Sequence, residues 1–181
     1  MRDFAEDLRE AAAYHGHLCS GQVIGVRMAR LGAQLLGLGD PRECRDLAVY
    51  VETDRCIADA VGTVTGCRIG HRRLKWFDYG KSAAAFLNFE TGEAYRIYRK
   101  YEQFPGEGAD LVAFYSEIPD GDLFEIQKVN IPFRPQDRPG KPMEAVHCAR
   151  CGEEVLDGRQ VERKGENLCR PCAESGYYTI A

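Results

Sequence analysis

The run Leu47-Ala-Val-Tyr-Val-Glu52, then Thr53-Asp54-Arg55, then Cys56-Ile-Ala-Asp-Ala60-Val-Gly-Thr-Val-Thr-Gly66 decides how this chain folds. Its first part is almost continuously apolar, the mark of a strand buried on both faces. Its last part sets Ile57, Ala60, Val61 and Val64 on one side of a helix that Asp54 can cap and Gly66 ends. A strand feeding a helix predicts a sheet with helices laid against it. Upstream, residues 4–14 and 22–36 read as two more helices, the second with Ile24, Met28, Leu31 and Leu35 in one stripe and Ser20 as its N-cap. Downstream, residues 74–79, 82–89 and 94–98 read as strands, the last two joined through Thr91-Gly92. A weaker helix over 109–118, a turn over 119–122 and an alternating edge strand over 124–131 follow. That order predicts an α+β domain with a mixed or antiparallel sheet.

Prolines 132, 135, 139 and 142 predict an extended linker over 133–142, which divides a core domain at 1–132 from a small module at 143–181. The chain carries a net charge of −4, so no electrostatic drive toward nucleic acid or an anionic membrane is expected. No apolar run approaches a membrane span, and the charged N-terminus does not resemble a signal peptide. Eight cysteines without a secretion signal predict thiols in a reducing, cytoplasmic setting.

Four of those cysteines are spaced as metal ligands. Cys148-Ala-Arg-Cys151 and Cys169-Arg-Pro-Cys172 form two knuckles, each able to place two sulfurs on one tetrahedral ion. Between them only Val155, Leu156, Val161 and Leu168 offer a core, so the module needs zinc as a folding staple. A treble-clef-like finger is expected; an iron site of the rubredoxin type is the minority alternative. From Met143 onward five Lys/Arg stand against seven Asp/Glu, which favours a protein partner over nucleic acid.

The second concentration of ligands is His15-Gly-His17-Leu-Cys19-Ser-Gly21. With Cys56 it places two sulfurs at predicted helix N-termini, where the macrodipole favours anionic sulfur. Among the remaining residues, Cys44 reads as filler, and Cys67, which follows Gly66, is balanced between filler and ligand.

These segments, His15 to Gly21, Glu52-Thr-Asp-Arg-Cys-Ile-Ala-Asp-Ala60, Thr65-Gly-Cys67 and Asp78-Tyr-Gly-Lys81, resemble in order and spacing the motifs of the formylmethanofuran dehydrogenase E-subunit family. Where that family has a glycine- and lysine-rich stretch, this chain has Arg68-Ile-Gly-His71-Arg72-Arg73. The resemblance implies a mixed, five-stranded sheet flanked by helices, and a homodimer. It also implies a metal or thiol pocket of His17, Cys19 and Cys56, with Cys67, Asp59 and Lys81 as neighbours and His15 in support. The functional expectation is a metal-binding accessory or partner protein of an anaerobic molybdenum- or tungsten-type oxidoreductase, holding zinc or another transition metal in the core and docking a partner through the finger. Two alternatives stand beside it. One is an enzyme with Cys19 or Cys56 as nucleophile and Lys81 as stabiliser; the other is a regulator that senses metal or redox state.

Overall fold

The structure, a computed structural model, describes residues 1–100 and 103–179 and divides into two compact units, Met1–Pro132 and Phe133–Ala181. The first unit begins with helix α1 (Phe4–His15), whose cap Asp3 accepts from the N–H of Ala5 at 3.2 Å. Gly16 ends it in the left-handed region at φ 96°, a conformation that costs glycine little, and its N–H closes the helix on the Ala12 carbonyl. Helix α2 (Ser20–Leu35), strand β1 (Leu47–Val51) and helix α3 (Cys56–Thr65) follow. Strands β2 (Leu74–Trp76), β3 (Ala83–Asn88) and β4 (Ala94–Arg99) come next, then the short helices α4 (Leu111–Ser116) and α5 (Asp120–Leu123) and strand β5 (Phe124–Lys128).

The five strands form one mixed sheet in the order β2-β1-β3-β4-β5. β1 and β2 are parallel, and every other pair is antiparallel. Register puts Val51, Ala84, Ile97 and Ile126 in one row across the sheet and Val49 and Phe86 two rows on, on the same face. Those rows contribute Val49, Val51, Ala84, Phe86 and Ile97 to a core shared with Val23, Ile24 and Met28 of α2 and Ile57, Val61 and Val64 of α3. Helices α2 and α3 cross closely: a Cβ added at Gly25 would lie 2.6 Å from the Ala60 Cβ.

Strands β2 and β5 end earlier than the sequence predicts, each for a local reason. β2 stops at Trp76 because its partner β1 ends at Val51, and residues 77–82 turn away with Phe77 N–H on the Val51 carbonyl and Lys81 N–H on that of Glu52. β5 stops at Lys128 because β4 offers no pairing residue beyond Tyr95 and Ala94. The expected turn at 119–122 is instead the start of α5. The caps also shift. Cys19, not Ser20, stands at the N-cap position of α2, and Arg55, not Asp54, at that of α3, neither with a side-chain cap bond; the Thr53 hydroxyl accepts from Arg55 N–H.

The second unit holds two hairpins, β6 (Ala145–His147) with β7 (Glu154–Leu156) and β8 (Val161–Arg163) with β9 (Glu166–Leu168), then a single helical turn α6 (Arg170–Ala173) with Pro171 near its start. Among its described residues the buried apolar centre is Cys148, Leu168 and Ala173, with Val155, Val161, Cys169 and Cys172 packed around them. The stretch 133–142, read from sequence as extended linker, carries a 3-10 turn at Pro135–Asp137. Arg134 pairs with Asp137 there and reaches the Asp157 and Gly158 carbonyls at 3.2 and 3.3 Å. Among the described residues no helix is long and apolar enough to cross a membrane.

Candidate metal centres

In the second unit the sulfurs of Cys148, Cys151, Cys169 and Cys172 all lie within 4.8 Å of one another, with Cys151 and Cys169 3.8 Å apart. Four thiolates on a tetrahedral zinc at about 2.3 Å would be separated by about 3.8 Å, so the donor set fits that ion. Backbone N–H groups from both knuckles hold the Cys148 thiol down at about 6. The Cys172 thiol, hydrogen-bonded to Cys169 and partly desolvated, is pushed up to about 12. Four crowded sulfurs cannot all become anions without a cation among them, and a divalent ion supplies it.

The core unit brings a second set together. α1 ends on His15, Gly16 turns the chain, and Cys19 starts α2, so His15, His17 and Cys19 present donor atoms within 4.8 Å of one another. The His15 and His17 rings stand 4.8 Å apart, centre to centre. Asp59, in the first turn of α3, meets His15 Nδ1 at 2.8 Å. A carboxylate on one imidazole nitrogen fixes the ring and leaves the other, Nε2, as donor, an arrangement common behind metal-bound histidines. Two imidazoles and a thiolate are the borderline-soft set of zinc and its neighbours, and three protein donors leave a position open.

Cys56 lies on the Cys19 side of this set. A Cβ added at Gly21 would fall 2.7 Å from the Cys56 Cβ, 3.5 Å from its sulfur and 3.7 Å from the Cys19 sulfur. Gly21 is therefore required by close approach, not by its φ. Gln22 bonds the backbone of both cysteines: its N–H donates to the Cys19 carbonyl at 3.0 Å and its side-chain amide to the Cys56 carbonyl at 2.8 Å. The Gln22 Oε1 is buried without a hydrogen-bond partner among the described residues. The dipole argument from sequence does not hold for Cys56. Burial, then hydrogen bonding to Cys19, pushes its thiol up, outweighing the helix terminus.

The other residues singled out from sequence lie elsewhere. Cys67 is buried at the far end of β1, where its thiol donates to the Leu47 carbonyl and desolvation raises its pKa. The Cys44 carbonyl accepts from Arg73, and His71 is exposed. Lys81 lines a cavity of about 520 Å³ with Ser82, Arg96, Tyr98, Arg99 and Gln127, none of which belongs to the His/Cys set. There Arg96 grips Glu52 through two bonds of 2.6 and 2.8 Å. Sequence reasoning gave His15 a minor place and missed Gln22. The His-x-His spacing across a turn-forming glycine signals the first; nothing local signals the second, since its partner is 34 residues away.

Two family models match the chain. A family model described as "FmdE, Molybdenum formylmethanofuran dehydrogenase operon" matches residues 14–123, and one described as "Prokaryotic dksA/traR C4-type zinc finger" matches residues 144–178. A probable S-adenosyl-L-methionine-binding protein of Archaeoglobus fulgidus is 28% identical over 205 aligned residues, covering 96% of this chain and 54% of the relative. The chain thus spans about half the length of that curated relative. A crystal structure of a tungsten formylmethanofuran dehydrogenase FmdE-like protein from Syntrophus aciditrophicus superposes with a TM-score of 0.61 at 22% identity, over 98% of this chain and 96% of that one, and shares the fold.

Proposed function

Since the chain belongs to the FmdE family and carries a C-terminal four-cysteine zinc finger, we propose that it is a metal-binding accessory or partner protein of a molybdenum- or tungsten-type oxidoreductase system. The observation that carries the reading is the convergence of His15, His17 and Cys19, with Asp59 orienting His15. Those three residues would hold the core ion, with Cys56 beside them, while the finger ion is structural and its surface meets a protein partner. When bound, a zinc-like ion supplies Lewis acidity at the open position. This chain's own residues orient the donors and hold a proton at the Cys56 sulfur. The protein works as a homodimer in a reducing, cytoplasmic setting of an anaerobe.

The main alternative, a thiol enzyme, is less well supported at Cys56, because a thiol pushed up by burial is a poor nucleophile at neutral pH. Its expected stabiliser, Lys81, lines a different cavity. Elemental analysis of the full chain and of Cys19→Ala tests the proposal. Two ions per chain in wild type and one in the variant are expected; loss of both, or of neither, refutes the two-site reading.

A second reading draws on the Archaeoglobus relative's name. The cavity of about 520 Å³ at Lys81 lies within the size range of small-ligand sites and offers cations to an amino-acid carboxylate. Equilibrium dialysis with S-adenosyl-L-methionine tests it. Saturable binding weakened in Lys81→Ala supports the reading, and absence of saturable binding refutes it.

A further inference from the structure

The two helix starts that carry Cys19 and Cys56 are held against each other at residues 21 and 22. Both sulfurs face the space where a Cβ of residue 21 would stand, at 3.7 and 3.5 Å from it, and residue 21 is glycine. Gln22 bonds to the carbonyls of both cysteines, at 3.0 and 2.8 Å, so one residue ties the two backbones in register. α2 and α3 pack tightly just beyond, at Gly25 and Ala60. Both thiols are half-buried, whereas Cys67 is fully buried and bonded to a backbone carbonyl. Two thiols that flank one vacant Cβ position, on helix starts joined through Gln22, are placed to meet each other.

We propose that Cys19 and Cys56 form a redox-active dithiol, a covalent modification site that a small-molecule disulfide such as glutathione disulfide closes to a Cys19–Cys56 bond. The Cys19 thiolate attacks one glutathione sulfur and expels one glutathione thiolate. Cys56, held beside the mixed disulfide and handing its proton to the glutathione thiolate just released, then attacks the Cys19 sulfur and expels the second. The two cysteines lose two electrons, glutathione disulfide gains them, and two glutathione molecules leave with the two protons. A sulfur committed to that bond is no longer a thiolate ligand, so closure withdraws Cys19 from His15 and His17. This release of metal rests on the metal reading above; formation of the bond does not.

The test uses the full chain, reduced and then exposed to glutathione disulfide with and without added zinc. Trypsin separates Cys19, on residues 10–27, from Cys56, on residues 56–68, and fragmentation distinguishes Cys56 from Cys67 on the shared peptide. The expected product in wild type is the 10–27 peptide linked through Cys56. In Cys56→Ser, Cys19 should instead stop as the glutathione adduct. A glutathione adduct on Cys19 in wild type, with no Cys19–Cys56 link, overturns the proposal. Added zinc should slow closure by about tenfold or more by occupying the thiolate. A link that forms at the same rate with zinc supports the dithiol and refutes the metal reading.

Discussion

Gly21→Ala gives the sharpest test of how the core site is built. The new Cβ would sit 2.7 Å from the Cys56 Cβ. Ordinary carbon–carbon contacts lie at about 3.5–4.0 Å, so the starts of α2 and α3 must part by about 0.8–1.3 Å. Asp59, which holds His15, rides on α3 while Cys19 rides on α2, so parting the two helix starts draws His15 away from Cys19 by more than the about 0.2 Å that metal–ligand bonds tolerate. The effect on folding is smaller. Overpacking costs about 1–3 kcal/mol, and alanine in place of glycine inside a helix returns about 0.5–1 kcal/mol. The core domain should therefore lose about 0–2.5 kcal/mol and remain folded, while core-metal affinity drops by about tenfold or more. Competition against a chromophoric chelator reads the affinity, and thermal denaturation reads the stability. A variant that binds the core ion as tightly as wild type would refute the claim that the approach at residue 21 sets the site.

Other perturbations separate the parts of the molecule. Asp59→Asn should weaken the core ion by about 10–100-fold, measured by the same competition, because His15 loses the carboxylate that orients it. Cys148→Ser should abolish the cooperative transition of the second unit, followed by limited proteolysis, and leave the first unit protected, since the module's buried apolar centre is three of its described residues. Glu52→Gln should lower core stability by about 1–3 kcal/mol in urea unfolding, because it leaves the Arg96 guanidinium without its carboxylate. Alkali should destabilise the core through Cys67. Its folded-state pKa is raised above the ordinary thiol value of 9.0, so above that pH the native state keeps a proton the unfolded chain gives up, and stability falls as pH rises. Cys67→Ala should flatten that alkaline slope, and an unchanged slope would exclude Cys67 as its source.

The sheet was readable from sequence because its information is local. The apolar run at β1, the turn at Thr91-Gly92 and the helical stripes of α2 and α3 each declare themselves within a dozen residues. The finger was equally readable, because tetrahedral coordination forces the CxxC spacing. The caps were less so: the N-cap position of α3 falls on Arg55, one residue past Asp54, and has no side-chain cap bond. Within the core site, His17 and Cys19 were legible from their clustering. The assignment of Asp59 to His15 and of Lys81 to a separate cavity depends on how α1, α3 and the segment after β2 fold back, which spacing along the chain does not encode.

Arg134 fixes where this chain can be divided. Its guanidinium holds the carbonyls of Asp157 and Gly158, and Asp157 in turn accepts from the N–H of Met143 through its buried carboxylate. The proline-rich stretch thus works as a clasp on the finger's first hairpin. A finger fragment begun at Met143, where the cysteine pattern alone would place the cut, leaves that clasp behind; one begun at Phe133 keeps it.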